Sequence, residues 1–491
     1  MCVVTEETRV GLSQPSYEKA IQLSTLDQHA VRIYSSFVLV FETEPCADPE
    51  DILVHLKTGL GGALTEFPEF AATVVPKAGS SRNELELQVG PESGALFRAV
   101  DHSSGLSDSD ECHDGLRGVT YEQLESNNFP LTHLPKDLFF TQHAKPDDDS
   151  PDGIPVLLVQ ANIIDGGLLV GVAWHHSVCD ARGMNTLVNA WAKATNASCT
   201  YGSIDEVDVA AEEDESEARL KLSYGTTGAT IRDFTDYVDD ASIRSPGPNS
   251  LHLLDRTYHT PANSEISMWY FAQESLQSLV SSVNGSSKSN EQQFTQVEAL
   301  SALLWKHVSL ARQIDVSFPG GSSLFTTRID FRRRLSPPLP HEYIGNVNQP
   351  IPRSRVSIDD LCAPSSGQTL AGLAQRVRLA VAELDDKSVR KLIGYVDTLP
   401  SVTDLALEFD TCPGPDLAIT DLSGLDVMQK DWGQLLGKVA HIRGFVRYRG
   451  FLAFLPADTK GGITALLQCE TTALERLKSD QMFCQYAEYL Y

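Results

Sequence analysis

The chain has 491 residues, too many for one ordinary hydrophobic core, and its 42 % apolar content is enough to fill two. A formal net charge of −27, from 66 acidic and 39 basic residues, argues against nucleic-acid backbones and anionic membranes as partners. Nine cysteines are scattered without paired metal-ligand spacing, and Met1 to Glu7 lack a basic head and apolar core, so a reduced, cytoplasmic protein is expected.

In chain order, Asp147 to Gly153 reads as a surface loop. Val156–Val159 and Leu168–Trp174 then flank Asp165-Gly166-Gly167, an apolar-turn-apolar pattern that predicts a β-hairpin. Gln160, Asn162 and Asp165 interrupt this apolar region, so it is no membrane span. The second strand delivers His175 and His176, which a period of two points to opposite faces. Met184, Leu187, Val188 and Trp191 recur at helical spacing, predicting a helix that starts near Asp180 and buries that stripe. Eight of the thirteen residues from Asp205 to Glu217 are acidic, which reads as a solvated linker. Ser281 to Ser287 reads as a surface turn, and Ala299–Leu310 and Leu370–Leu384 as helices. Helical and strand patterns alternate, so the class is mixed α/β.

His176-x-x-x-Asp180 lies at the junction of strand and helix. Histidine suits a general base because its unperturbed pKa of ~6.5 leaves it mostly neutral near pH 7. Asp180 either serves that base or organises the turn by accepting from free N–H groups at the helix start. His175 reads as a packing residue, and Cys179 as a buried, inert thiol.

A second motif, Asp431-Trp432-Gly433-Gln434-Leu435-Leu436-Gly437-Lys438, places closely spaced glycines around an acid and an aromatic, which marks a turn with special dihedrals. Together the two motifs resemble those of the BAHD acyl-CoA-dependent acyltransferase family, His-x-x-x-Asp-Gly and Asp-Phe-Gly-Trp-Gly-Lys. The likeness extends to Leu23-Ser24-Thr25-Leu26-Asp27, to Leu56 through Leu64-Thr65-Glu66-Phe67-Pro68, and to Phe294-Thr295 opening a helix through Trp305. Asp330-Phe331-Arg332, with Pro337-Pro338 and Tyr343-Ile344-Gly345-Asn346 following, matches the family's Arg-rich strand and Gly-Asn. The chain resembles the fungal branch typified by trichothecene 3-O-acetyltransferase. It departs at Ala181, where the motif has Gly and Gly183 follows two residues later; at Trp432, which replaces Phe; and at the displaced Gly437-Lys438.

The resemblance implies two chloramphenicol-acetyltransferase-like domains with a channel at their interface. The expected division is 1–204, an acidic crossover linker at 205–222, and 223–491. It implies a monomer with no permanently bound cofactor and no metal, taking acyl-CoA, expected to be acetyl-CoA, as cosubstrate and a small-molecule acceptor. His176 would be the base of a ternary complex, with Asp180 turned toward Arg332 in a buried pair. Asp431, Trp432 and Gly433 would support the fold on the CoA side, and Lys438 could approach the CoA phosphates. A metal hydrolase using His175, His176, Cys179 and Asp180 is disfavoured because adjacent strand residues diverge. A condensation-type enzyme that takes acyl groups from a carrier protein, and a non-catalytic relative that binds a small molecule, remain alternatives.

Overall fold

A computed structural model describes residues 4–13, 17–44, 47–103, 116, 118–130, 134, 153–201, 211–234, 237–239, 263–286, 293–407, 410–411, 414–444 and 451–491. Of the expected loop at Asp147–Gly153, only Gly153 lies within them. Two large sheets dominate.

The first has six strands, from edge to edge Val4–Gly11, Gly94–Asp101, Leu157–Ile164, Gly167–His175, Tyr34–Glu42 and His441–Gly444. The expected hairpin forms here, its two strands antiparallel with Ile164 opposite Gly167. Gly166 sits at the turn with φ +74°, a conformation glycine adopts at no steric cost. Helices Pro49–Glu66 and Ala181–Tyr201 cover this sheet, packed on each other. Gly59 makes that approach possible, since a Cβ there would come within 2.8 Å of the Thr195 backbone. Met184, Leu187, Val188 and Trp191 are all buried in the resulting core, as the helical spacing predicts.

The second sheet has seven strands in the order Arg353–Ser357, Ser322–Thr327, Leu417–Asp421, Phe451–Phe454, Ile463–Glu470, Ser264–Phe271 and Glu488–Tyr489. Helices Gln296–Ala311 and Gly367–Ala382 build its core together with Gln273–Gly285. Residues 281–285, expected as a turn, belong to that last helix, whose buried stripe Leu276, Leu279 and Val283 carries helical periodicity past the serines.

The halves are stitched together rather than divided at one boundary. His441–Gly444, from the C-terminal half, pairs with Tyr34–Glu42 at the edge of the first sheet, giving that edge a partner. The expected linker is also more than a linker. Residues 211–221 form a helix whose far end is buried, with Ala218 and Leu222 packed against Leu26, Phe331, Tyr343 and Val389 in a third core at the seam. Residues 205–210 of the acidic run lie outside the described residues and Glu217 is exposed; the inward turn begins just after it, at Ala218, Arg219 and Leu222.

Candidate active site

The histidine strand ends at His175, which is buried opposite Tyr34 with the two rings edge-to-face at 5.8 Å. The chain then turns away from the sheet. His176 N–H donates to Ile33 O at 2.8 Å, Val178 N–H donates to His175 O at 3.0 Å, and Trp174 Nε1–H donates to Cys179 O at 3.2 Å. His176 is partly exposed, while its Nδ1 is buried. Turn geometry, as well as the strand pleat, therefore separates the two imidazoles.

His176 is also held from the other half of the chain. Asn346 Nδ2 donates both of its hydrogens, one to His176 O at 2.9 Å and one to Asp27 Oδ1 at 2.9 Å. The Asn346 main-chain N–H donates to the same Asp27 oxygen at 2.7 Å. Asp27 lies in the short helix Thr25–His29, capped by Ser24, whose main-chain N–H and hydroxyl donate to Asp27 Oδ2. Burial pushes the Asp27 carboxyl above the usual range, opposed mainly by the charge of Arg219. Arg219 comes from the acidic helix, 4.0 Å from Asp27 and 2.8 Å from buried Glu69. The Leu-Ser-x-x-Asp and Gly-Asn motifs carried this network in the sequence, but nothing in either motif alone showed that they meet at His176.

Asp180 and Arg332 are brought together across the seam. The Asp180 carboxylate accepts from Arg332 Nη1 at 3.1 Å and Nη2 at 3.0 Å, from Gly183 N–H at 2.9 Å and from Val347 N–H at 3.0 Å. His176 is not among these donors. Both readings of Asp180 as a turn organiser and as an ion-pair partner thus describe one carboxylate. Arg332, 1 % exposed, uses its remaining N–H groups on Tyr343 O at 2.8 Å, Asp330 Oδ1 at 3.0 Å and Gly345 O at 2.8 Å, so all five donors are satisfied. Burial disfavours its charge, but Asp180 and Asp330 outweigh that and raise the guanidinium pKa above its ordinary value.

Burial pushes the His176 imidazole below its ordinary value, with its own main chain and Asp180 pulling the other way. The charge of Arg328 adds to the lowering. The ring is therefore neutral at neutral pH, the form a base requires. Cys179 is fully buried, and burial together with Asp180 and Asp27 pushes its thiol well up, which leaves no thiolate to react.

The departure at Ala181 acquires a physical reason. Gly183, in the first turn of helix Ala181–Tyr201, approaches Ile344 so closely that a Cβ would lie 1.8 Å from the Ile344 carbonyl oxygen. The close contact that seats the helix on the Ile344–Asn346 segment falls at Gly183, and position 181 is free to carry a methyl group.

The segment from Asp426 to Lys438 runs along the same helix. Asp426 accepts from Asn185 at 2.8 Å and Asn189 at 2.9 Å, and further on Asn196 donates to Asp431 O at 3.3 Å. Trp432 is 0 % exposed, edge-to-face with Trp191 at 5.2 Å and with Phe41 at 5.3 Å, and so wedges helix against sheet. Gly433, φ +95°, lies close to Asn196 and Cys199, where a Cβ would make contacts of 3.1–3.2 Å. Asp431 Oδ1 accepts from Gly433 N–H at 3.0 Å, and the main chains of Asp431 and Lys438 form an isolated antiparallel bridge, both side chains being exposed. Asn196 stands about 24 Å up the axis from Asp180 at ~1.5 Å per residue. The structure thus does not bring Asp431, Trp432, Gly433 or Lys438 to His176. Among the described residues no three His, Cys, Asp or Glu side chains gather as metal ligands, and no helix is long and apolar enough to cross a membrane.

Two helix-covered sheets, joined at a seam where a histidine turn is held beside a buried aspartate–arginine pair, define the architecture of a two-domain acyltransferase. A family model described as the Transferase family matches residues 1–480, and the chain belongs to this family, the BAHD acyltransferases that its motifs resemble. It is 42 % identical over 484 residues to Acyltransferase easC of Emericella nidulans, covering 99 % of this chain and 98 % of the relative. It is 43 % identical over 487 residues to Acyltransferase cm3D of Cordyceps militaris, covering 99 % of each. The crystal structure of F. graminearum TRI101 complexed with ethyl coenzyme A superposes with a TM-score of 0.76 at 20 % identity, over 96 % of this chain and all of that one, a likeness of fold.

Proposed function

We propose that this protein transfers a short acyl group, acetyl in the first instance, from acyl-CoA to a hydroxyl of an apolar secondary metabolite, with His176 as general base. The observation that carries this reading is the division of labour at the seam. Asp180 is fully engaged by Arg332 and two backbone N–H groups, while His176, a half-buried residue with its main chain fixed from both halves, keeps a neutral ring that the carboxylate does not occupy. Nε2 removes the acceptor proton as the hydroxyl oxygen attacks the thioester carbonyl. The tetrahedral oxyanion collapses, the C–S bond breaks, and the thiolate leaves to be reprotonated. Both substrates approach one imidazole through a channel between the halves, so a ternary complex forms without a covalent enzyme intermediate and proximity supplies much of the rate.

Asp180 and Arg332 act as the architectural pair of the site, and Asp431, Trp432 and Gly433 as supports of the helix that carries it. Lys438, exposed on that loop, is the cation proposed to approach a CoA phosphate. The names of relatives support an acyl donor: easC and cm3D are acyltransferases, and TRI101 of Fusarium sporotrichioides, 23 % identical, is a trichothecene 3-O-acetyltransferase.

The test is thiol release from a panel of acyl-CoAs with hydroxylated natural products, comparing the native chain with a folded His176→Ala variant. Acceptor-dependent release that disappears in the variant supports the reading and names the donor. No consumption of any acyl-CoA and no CoA binding by calorimetry would transfer the assignment to a carrier-bound thioester donor or to non-catalytic binding.

A further inference from the structure

The C-terminal half holds a second cluster of chemistry-bearing side chains, apart from the seam. His307, on helix Gln296–Ala311, is 2 % exposed, and its Nδ1 lies 2.6 Å from Asp480 Oδ2. Its Nε2 lies 3.1 Å from Ser365 Oγ. These three residues come from three distant segments and meet in the order nucleophile, imidazole, carboxylate. None of them contributes to the His176 site.

Each member is fixed by its own supports. The Asp480 carboxylate caps helix Gln481–Cys484, with Oδ1 accepting from Met482 N–H at 3.0 Å and Phe483 N–H at 3.1 Å, which aims Oδ2 at the imidazole. The buried Phe483 ring lies alongside His307, centroids 6.0 Å apart at 35°. Buried Lys306, beside His307, donates to Leu361 O at 2.8 Å and Ala363 O at 2.5 Å, pinning the loop that leads into Ser365. On the other side Ser366 caps helix Gly367–Ala382. Ser365 itself is only partly buried.

The tautomer follows from the hydrogen bonds. A carboxylate accepts only, so Nδ1 must carry the proton it gives to Asp480, and in the neutral imidazole Nε2 then carries the lone pair facing the Ser365 hydroxyl. That is the relation between base and nucleophile that activates a serine, recognised by geometry and not by sequence order.

We infer that Ser365, His307 and Asp480 form an activated-serine site, separate from the His176 site, that reacts with activated acyl esters and thioesters. Ser365 Oγ forms a bond to the acyl carbon while its proton passes to His307 Nε2. The C–O or C–S bond of the donor breaks, and the imidazole returns that proton to the leaving group. Water then attacks the acyl-serine by the same route, releasing the acid and restoring the hydroxyl. Of the first-turn N–H groups of helix Gly367–Ala382, that of Thr369 is taken by Ser366 Oγ, and those of Gly367 and Gln368 are the donors nearest in sequence to stabilise the oxyanion. The partly exposed position suits small acyl groups.

The probe is a fluorophosphonate, whose phosphorus takes the place of the acyl carbon and whose P–F bond breaks as the Oγ–P bond forms. The full-length native chain is incubated with it and the adduct is mapped by peptide mass spectrometry. Labelling at Ser365 is expected, lost in Ser365→Ala and slowed roughly 10²-fold or more in His307→Gln and Asp480→Asn, in line with loss of general-base help. Asp480→Asn keeps a capping oxygen and so guards against a folding failure in the histidine variant. His176→Ala should label at the native rate, and Ser365→Ala should retain acyl-CoA transfer. Absence of an adduct at Ser365 overturns the assignment. So does labelling at an unchanged rate in both folded His307 and Asp480 variants, or loss of labelling in His176→Ala.

Discussion

Removing the Asp180 carboxylate tests whether this residue builds the site or works in the chemistry. In Asp180→Ala, Arg332 stays 1 % exposed with two of its five donors emptied, and the N–H groups of Gly183 and Val347 lose their acceptor. Stranding one partner of a buried pair costs on the order of 3–5 kcal/mol. Each orphaned backbone N–H adds about 1–3 kcal/mol where water cannot reach it. The loss is therefore at least about 3 kcal/mol, a large part of the ~5–15 kcal/mol that holds an ordinary domain folded. Denaturant titration of native, Asp180→Ala, Arg332→Ala and the double variant, with thiol release measured on the folded fraction, separates the two roles. The double variant should be less destabilised than the sum of the singles, because it leaves no charge unpaired. The reasoning is refuted if Asp180→Ala keeps native stability and loses turnover, since the carboxylate would then act on His176 directly.

His176→Ala, by contrast, should lower turnover about 10²–10⁴-fold while leaving the denaturant midpoint close to native. The acid limb of kcat/KM should fall below the ordinary imidazole value of ~6.5, because burial lowers the His176 pKa; a midpoint above that value would contradict the assigned environment. Burial and Arg443 push His441 down to about 4. The folded state then binds fewer protons than the unfolded one, so this contribution is fully present above ~6.5 and is lost as pH falls toward the folded value; thermal melts across that window should steepen in the native chain and flatten in His441→Gln. Trp432→Ala should cost about 3–5 kcal/mol. Trp432→Phe should be nearly neutral, since the indole N–H is buried without a partner among the described residues. Gly183→Ala should destabilise far more than Ala181→Gly, by circular-dichroism melting, because only the former drives a methyl into a carbonyl oxygen.

Local order was legible in the sequence wherever the pattern is short-range. The apolar-Asp-Gly-Gly-apolar hairpin, the stripe Met184, Leu187, Val188 and Trp191, and the helices after Thr295 and around Leu370 depend on neighbours within a turn or two, and each forms as its periodicity requires. Of the turn read over Ser281–Ser287, residues 281–285 are helical because serine and glycine are weak signals that packing overrode, Ser286 does turn, and Ser287 lies outside the described residues. The acidic run ends just before the chain turns inward: Glu217 is exposed, whereas Ala218, Arg219 and Leu222 after it are buried, a change that the composition of the run does not signal.

His176, Asp180 and Arg332 were legible as residue types in a recognisable order, and the sequence alone determined that an imidazole stands at a strand-to-helix junction. Only the tertiary structure decided what surrounds it. Asp27, Asn346 and His176 are separated by up to 319 positions, and their hydrogen bonds exist because two sheets dock at a seam. The same docking places Gly183 against Ile344, gives the first sheet its edge strand from residues 441–444, and sets Trp432 against Trp191, midway along the helix that starts beside Asp180. Hydrophobic spacing fixes which face of an element is buried. It carries no information about which distant backbone groups that face will meet, and those long-range contacts hold the His176 turn in place.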